Sequence, residues 1–257
     1  MKAANPVRST VEGLGGFYAM CLDAALALVR TPFQWKEFLE QTMFIARVSL
    51  VPTILVAVPL CTNIVFLLNN LLLEIGAGDM AGAAAFLGSI REIGPIVTVL
   101  VVAGAGATAI CADLGARTIR DEIDAIRVMG IDPIARLVVP RVLASTLVAI
   151  LLNPLVATVG ITGGYLFSVY LQHITPGLYV VNLSLLSKGI VEIVFSEIKA
   201  AVFGLLAGLV ACHRGLTVSG GPKGVGDAVN QTVVLCFVLL FVANTIITAV
   251  FLQVTGS

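Results

Sequence analysis

Four charged residues stand in an otherwise apolar run, where a bilayer would tolerate them least. Lys188, Glu192 and Lys199 fall at i, i+4 and i+11, so on a helix they share one face, while Glu197 points elsewhere. A carboxylate placed in hydrocarbon costs several kcal/mol unless it is paired or hydrated. Such a face must look into a bundle interior or a wet cavity, as a structural Lys-Glu pair or as a proton or ion relay. A second pair of opposite charges, Arg91 and Glu92, opens the run Arg91-Glu-Ile-Gly-Pro95 at the edge of another apolar stretch, where long side chains can snorkel to headgroups.

A different chemistry is written between Arg117 and Pro133. Ile119, Ile123 and Ile126 recur at i, i+4 and i+7, Gly130 is a natural helix stop, and Pro133 prevents continuation. The pattern predicts a short amphipathic helix whose apolar ridge is fringed by Asp121, Glu122 and Asp124. An anionic leaflet would repel those carboxylates. A protein groove lined with basic residues would accept both ridge and fringe.

Other motifs fail on context. Gly104-Ala-Gly-Ala-Thr-Ala109 matches a dinucleotide fingerprint in spacing, but that fingerprint needs a strand, a turn and a solvated helix N-terminus. Ser219-Gly-Gly-Pro-Lys-Gly224 lacks the residue order of a phosphate loop, and no Walker motif occurs in the chain. No cofactor is expected in this chain; if ATP drives it, a separate polypeptide holds the nucleotide and its Mg. Cys21, Cys61, Cys111, Cys212 and Cys236 are spaced singly, with no CxxC pair, and read as packing residues. His173 and His213 form no HExxH or nucleophile-base pair, which argues against an intramembrane enzyme. Gly160 and Gly164, followed by Ser168, and Gly204 and Gly208, between Ala200 and Cys212, put small residues every fourth position, the spacing of close helix packing.

The elements that must position these groups are membrane helices. The chain has 257 residues, 58% hydrophobic and 12% charged, with mean hydropathy +1.05, against about 45–50% and 25% in soluble domains. Net charge is zero and no basic stripe with interleaved aromatics is present, so nucleic acid is not a partner. Crossing about 30 Å of hydrocarbon takes about 20 apolar residues. Five runs qualify: 48–73, 93–112, 143–171, 189–211 and 229–254. Asn153 and Pro154 predict a kink or a split in the third. With the N-terminus cytoplasmic, twelve Lys and Arg fall on the inner side and only Arg91 and Lys188 outside, so the C-terminus is external. No secretory signal precedes the first span, since Glu12, Gly13, Gly15 and Gly16 interrupt the N-terminal segment. Phe33 to Arg47 places Lys36, Glu37, Glu40, Gln41 and Arg47 along one side, predicting an amphipathic helix in the interface with the only Trp, Trp35, as anchor. No linker divides the chain, and 1–257 reads as one all-α membrane domain with an interfacial region over 10–47.

Several motifs in one order resemble the MlaE/YrbE permease family. They are Arg91-Glu-Ile-Gly-Pro95, Val101-Val-Ala-Gly104, Ala112-Asp-Leu-Gly115, Glu122-Ile-Asp-Ala125, Met129-Gly-Ile-Asp-Pro133, Val138-Val-Pro-Arg-Val-Leu143 and Gly220-Gly-Pro-Lys-Gly-Val-Gly226. The runs Thr108 to Ile119 and Arg214-Gly-Leu-Thr217 look most like an A-type YrbE subunit of Mce lipid-transport systems. The resemblance implies a fold similar to G-type ABC lipid exporters, with an interfacial helix, five spans and a coupling helix over 118–129 carrying Ile119 through Met129. It implies a non-catalytic permease in the inner or plasma membrane. Its implied partners are ABC ATPase subunits, a second YrbE-type permease, Mce tunnel proteins and membrane lipids. Arg91 and Glu92 would bound a lipid pocket, with Glu192 and Lys199 as further candidates. A self-contained ion-coupled transporter built on the span-four charges is the rival reading; it would call for two related halves around broken helices, and no internal repeat is visible.

Overall fold

In hydrocarbon no water takes up peptide N–H and C=O groups, so a spanning chain must close its backbone bonds within helices. The computed structural model describes residues 6–29, 34–170, 175–185 and 189–255, and no strand occurs among them. Lys188 and His173 lie outside the described residues. Among the described residues ten α-helices follow one another: α1 (Pro6–Val29), α2 (Trp35–Glu74), α3 (Ala81–Leu87), α4 (Gly94–Val101), α5 (Ala107–Ile119), α6 (Glu122–Val128), α7 (Val139–Tyr170), α8 (Pro176–Leu185), α9 (Gly189–Leu216) and α10 (Gly221–Thr255). Short π-helical turns join α3 to α4 (Gly88–Ile93) and α4 to α5 (Val102–Gly106), and a third (Ile134–Val138) leads into α7.

Among the described residues five helical stretches are long and apolar enough to cross a membrane: Trp35–Glu74, Gly82–Ile119, Ile134–Tyr170, Ile190–Leu216 and Gly221–Gln253. They are the five predicted runs, mostly lengthened at their polar ends. Two expectations change. The amphipathic segment 33–47 is not a separate interfacial helix; from Trp35 onward it is the first part of α2. At 40 residues α2 is about 60 Å long, twice the hydrocarbon thickness of about 30 Å, so its polar start can stand outside the apolar layer without a break. The third span is not split at Asn153-Pro154 either, because α7 continues through Pro154. Ahead of α2, α1 runs through Gly13, Gly15 and Gly16 and packs Met20, Ala24 and Ala27 into the main core.

Span two, from α3 to α5, is the most buried of the five, and spans one and five are the most exposed. α2 buries Gln41, Ile45, Ser49, Thr53, Ala57, Cys61, Val65 and Asn69, one residue in every four. That is the i+4 ridge by which one helix fits another's groove, and it lies mainly on α7. At its far end Asn69 Nδ2 donates to Ser168 Oγ at 2.6 Å, and Ser168 Oγ donates to the Gly164 carbonyl at 2.7 Å. At its near end Glu37 approaches Arg141, so α2 and α7 run parallel. α9 returns antiparallel, with Asn153 opposite Ser196 and Ser145 opposite Gly204. At the far end α8 closes over α3: Tyr179 is buried, its backbone lies against Gly82, and burial pushes its phenol up to about 12.

The small residues set the helix separation. A Cβ on Gly204 would stand 2.7 Å from the Ser145 carbonyl oxygen and 2.7 Å from Thr146 Cα, and one on Gly208 would meet Ser145 Oγ. Gly160 and Gly164 face Ser89 and Val65 in the same way. Cys111, Cys212 and Cys236, from three different spans, sit together in the main core cluster, and Thr232 Oγ1 donates to Cys111 Sγ at 3.3 Å.

Gly204→Val pushes γ-methyls into α7 and should destabilise the bundle by about 1–3 kcal/mol. Gly226→Ala, where a Cβ meets nothing within 4 Å, should be neutral or slightly stabilising. Thermal unfolding of both variants in one detergent checks the pair.

Candidate functional site

The first π-turn carries Arg91 and Glu92, about two and a half turns into a helical stretch that begins at Gly82. The helix thus continues beyond the two charges, which end the apolar run 93–112 in the sequence. Arg91 Nη1 lies 3.9 Å from Glu192 Oε1, and Lys199 Nζ lies 3.6 Å from Glu92 Oε1. Lys199 is fully buried and also donates to the Arg91 carbonyl at 3.1 Å. Two chain-adjacent residues of one span therefore each face an oppositely charged partner on α9. The four candidate residues Arg91, Glu92, Glu192 and Lys199 form one cluster, at the end of the bundle that also carries α8.

Aromatic rings cap it. Phe195 of α9 stacks on Phe251 of α10 at 3.7 Å, Arg91 lies 5.3 Å from the Phe251 ring centre, and Lys199 lies 5.4 Å from that of Phe195. Both separations suit cation–π attraction, which is strongest away from water. Glu197 points away from the cluster, as its helical offset requires, and accepts from Asn153 Nδ2 at 3.0 Å. Among the described residues, the buried atoms Arg91 Nη2, Glu192 Oε2 and Glu197 Oε2 have no hydrogen-bond partner. Glu92 keeps 39% of its side chain exposed, so the cluster reaches the surface of this single chain. Among the described residues no group of His, Cys, Asp and Glu is placed to hold a metal ion.

The opposite end carries the amphipathic hairpin. Predicted as one helix over 118–129, it is divided: Ile119 ends α5, Asp121 turns the chain with φ 58°, and α6 runs from Glu122 to Val128. Gly130, at φ 76°, ends it as expected. The isoleucine ridge faces inward. Ile123 is 4% exposed in the main core, and Ile126 packs against the same core. The outward face is Asp121, Asp124, Ala125, Arg127, Val128 and Met129, with Val128 at 89% and Met129 at 65% exposure. Arg120 and Arg127 pair with Glu122 and Asp124 at 3.0 and 3.1 Å.

Sequence reasoning missed Arg141, quoted only within a motif. It is fully buried, with Nη2 donating to Asp113 Oδ2 at 2.6 Å. The signal was available: Arg141 is the only charged residue from Leu137 to Leu171. It also missed Phe195 and Phe251, which no pattern separates from other lipid-facing aromatics.

The chain matches the family described as Permease MlaE over residues 38–250. A "Probable ABC transporter permease protein" of Synechocystis sp. is 32% identical over 70% of this chain and 68% of its own length. One of Rickettsia bellii is 27% identical over 95% of this chain and 93% of its own. The Arabidopsis thaliana chloroplast protein named trigalactosyldiacylglycerol 1 is 32% identical over 71% of this chain and 52% of its own.

Lys199→Met removes the ammonium from beside Glu92 and from the Arg91 carbonyl, and should destabilise by about 1–3 kcal/mol, between the exposed-pair and buried-pair ranges because Glu92 is partly exposed. Combining it with Glu92→Gln should recover part of that loss. Additive effects in a double-mutant cycle of unfolding midpoints would show that the two groups do not interact.

Proposed function

The chain belongs to the MlaE permease family and is a transmembrane permease subunit of an ABC transporter, and we propose that it moves lipid through the Arg91–Glu92–Glu192–Lys199 cluster. The observation that carries this reading is the cluster itself: four charges from two spans beside a stacked pair of aromatic rings, at the end of the bundle away from the buried Arg141–Asp113 pair. Such a site offers charge and hydrogen bonds to a headgroup while its surroundings accept acyl chains. The name of the Arabidopsis relative refers to a galactolipid, which supports lipid as the class of cargo. An external tunnel of Mce proteins would exchange lipid with the cluster end.

Partner ATPases would bind ATP and Mg and dock on the opposite end. The docking surface we favour is the exposed tip of Val128 and Met129 with Asp121 and Asp124 beside it, in place of the inward isoleucines. An apolar tip beside carboxylates suits a groove with basic walls. A second permease chain would cover the exposed faces of α2 and α10. The Lys and Arg distribution supports a cytoplasmic N-terminus and α6, with the cluster toward the external face.

Val128→Arg with Met129→Glu should abolish co-purification of an ATPase while leaving membrane insertion and unfolding midpoint unchanged. Retained ATPase would remove α6 as the docking element. A C-terminal tag should be reached by protease only from the external side of sealed vesicles; cleavage from the cytoplasmic side would reverse the orientation.

A further inference from the structure

Arg141 joins three elements at the α6 end of the bundle. Its Nη2 donates to Asp113 Oδ2 at 2.6 Å, and its Nη1 donates to the Leu137 carbonyl at 3.0 Å and lies 3.4 Å from Glu37 Oε1. Asp113 Oδ1 accepts from Arg117 Nε at 3.2 Å, and Glu37 Oε1 accepts from Gln41 Nε2 at 3.0 Å. A continuous line of polar contacts therefore passes from α5 through Arg141 of α7 to the first turns of α2. Asp113 stands before the end of α5 and Arg141 after the start of span three, each within about two turns of the α6 hairpin, or about 10 Å along a helix axis. Thr118 Oγ1 adds a bond to the Gly215 carbonyl at 3.0 Å, holding the same shoulder against α9.

A buried ion pair is a poor source of net stability, since apolar side chains of the same volume often serve as well. What it fixes is geometry: a guanidinium with a carboxylate on each arm accepts few arrangements of its neighbours. The contact with Glu37 is the notable one, because nothing in the hairpin requires α2. Asp113 alone would hold α5 to α7.

We propose that Arg141 is a positioning residue which clamps the start of α2 to the α5–α6–α7 hairpin, so that a displacement of α6 carries span one with it. This rests on α6 being where the ATPase docks. Span one presents its ridge along the whole of α7, and moving its base as a unit with α6 would carry motion toward the far end, where Asn69 meets Ser168. With the Glu37 arm cut, the rest of α2 would keep its packing on α7, but its first turns would be free to lag a shift of α6.

The test uses the full chain in complex with its ATPase, in nanodiscs, with spin labels at exposed Arg120 and Leu39 and nucleotide trapped by vanadate. The label separation should be the same with and without trapped nucleotide, and Glu37→Ala should make it nucleotide-dependent. Glu37→Ala should also keep ATP hydrolysis within about twofold while transfer of a fluorescent phospholipid falls about tenfold. Arg141→Lys, which keeps the charge but loses the two-armed grip, should fall between. A wild-type separation that changes on trapping overturns the clamp, as does a parallel loss of hydrolysis and transfer in Glu37→Ala, the mark of a merely structural contact. Wild-type complex that hydrolyses ATP without moving phospholipid would count against the cargo alone, and the label separation would still decide the clamp. A chain that purifies without any ATPase removes the docking reading and the clamp's role with it.

Discussion

A buried charge in a low-dielectric bundle must bring its counter-charge with it, and this constraint organises both ends of the molecule. Arg141 and Lys199 are each fully buried. Each is held by a carboxylate from span two, Asp113 in one case and Glu92 in the other. Isolated, either cation would cost several kcal/mol even after relaxation, so neither helix is stable in its place without the partner that span two supplies. That fits span two being the most buried of the five. The apolar contacts are non-directional and would tolerate a rotated or shifted helix. The two ion pairs would not.

Pro52, Pro59 and Pro154 each remove a donor from inside a span, which frees the carbonyls of Val48, Leu55 and Ile150 from their i→i−4 bonds. Membrane helices tolerate such losses where the surrounding bundle holds the helix in place, and α2 and α7 both continue through their prolines. Asn153, which suggested a break, instead reaches Ser196 and Glu197 across the interface with α9.

The spans were legible because transfer of apolar residues is a local, additive property that a single run of sequence carries. Helix ends were not. The polar start of α2 and the Arg91-Glu92 step both looked like boundaries, since their charges end the hydropathy signal, but a helix continues through charges that find partners. The inward turn of Ile123 was also invisible, for an amphipathic ridge reads the same whether it faces its own core or a partner. The pairing of Lys199 with Glu92 needed two segments that are 107 positions apart in the chain, which spacing on one helix cannot supply. Arg141 carried a readable signal, a lone cation in an apolar run, and its partner Asp113 lay in a separate motif.

Span two also offers a physical route between the ends. Asp113 and Glu92 lie on it about 30 Å apart along the axis, the thickness of the hydrocarbon, so one helix holds the partner of both buried cations. It is not a uniform rod between them. The π-turn at Val102–Gly106 interrupts it midway, and the one at Gly88–Ile93 carries the Arg91-Glu92 step itself. Single π-turns concentrate at functional sites, and their wider backbone gives a helix a place to change register without unwinding. An ion pair has two discrete states, made or broken, whereas packed small residues such as Gly204 against Ser145 leave a helix little room to drift. A helix tied at both ends by such pairs and softened between them can pass a displacement from one pair to the other in steps. That combination is what a permease needs if work delivered at α6 is to be felt at Glu92.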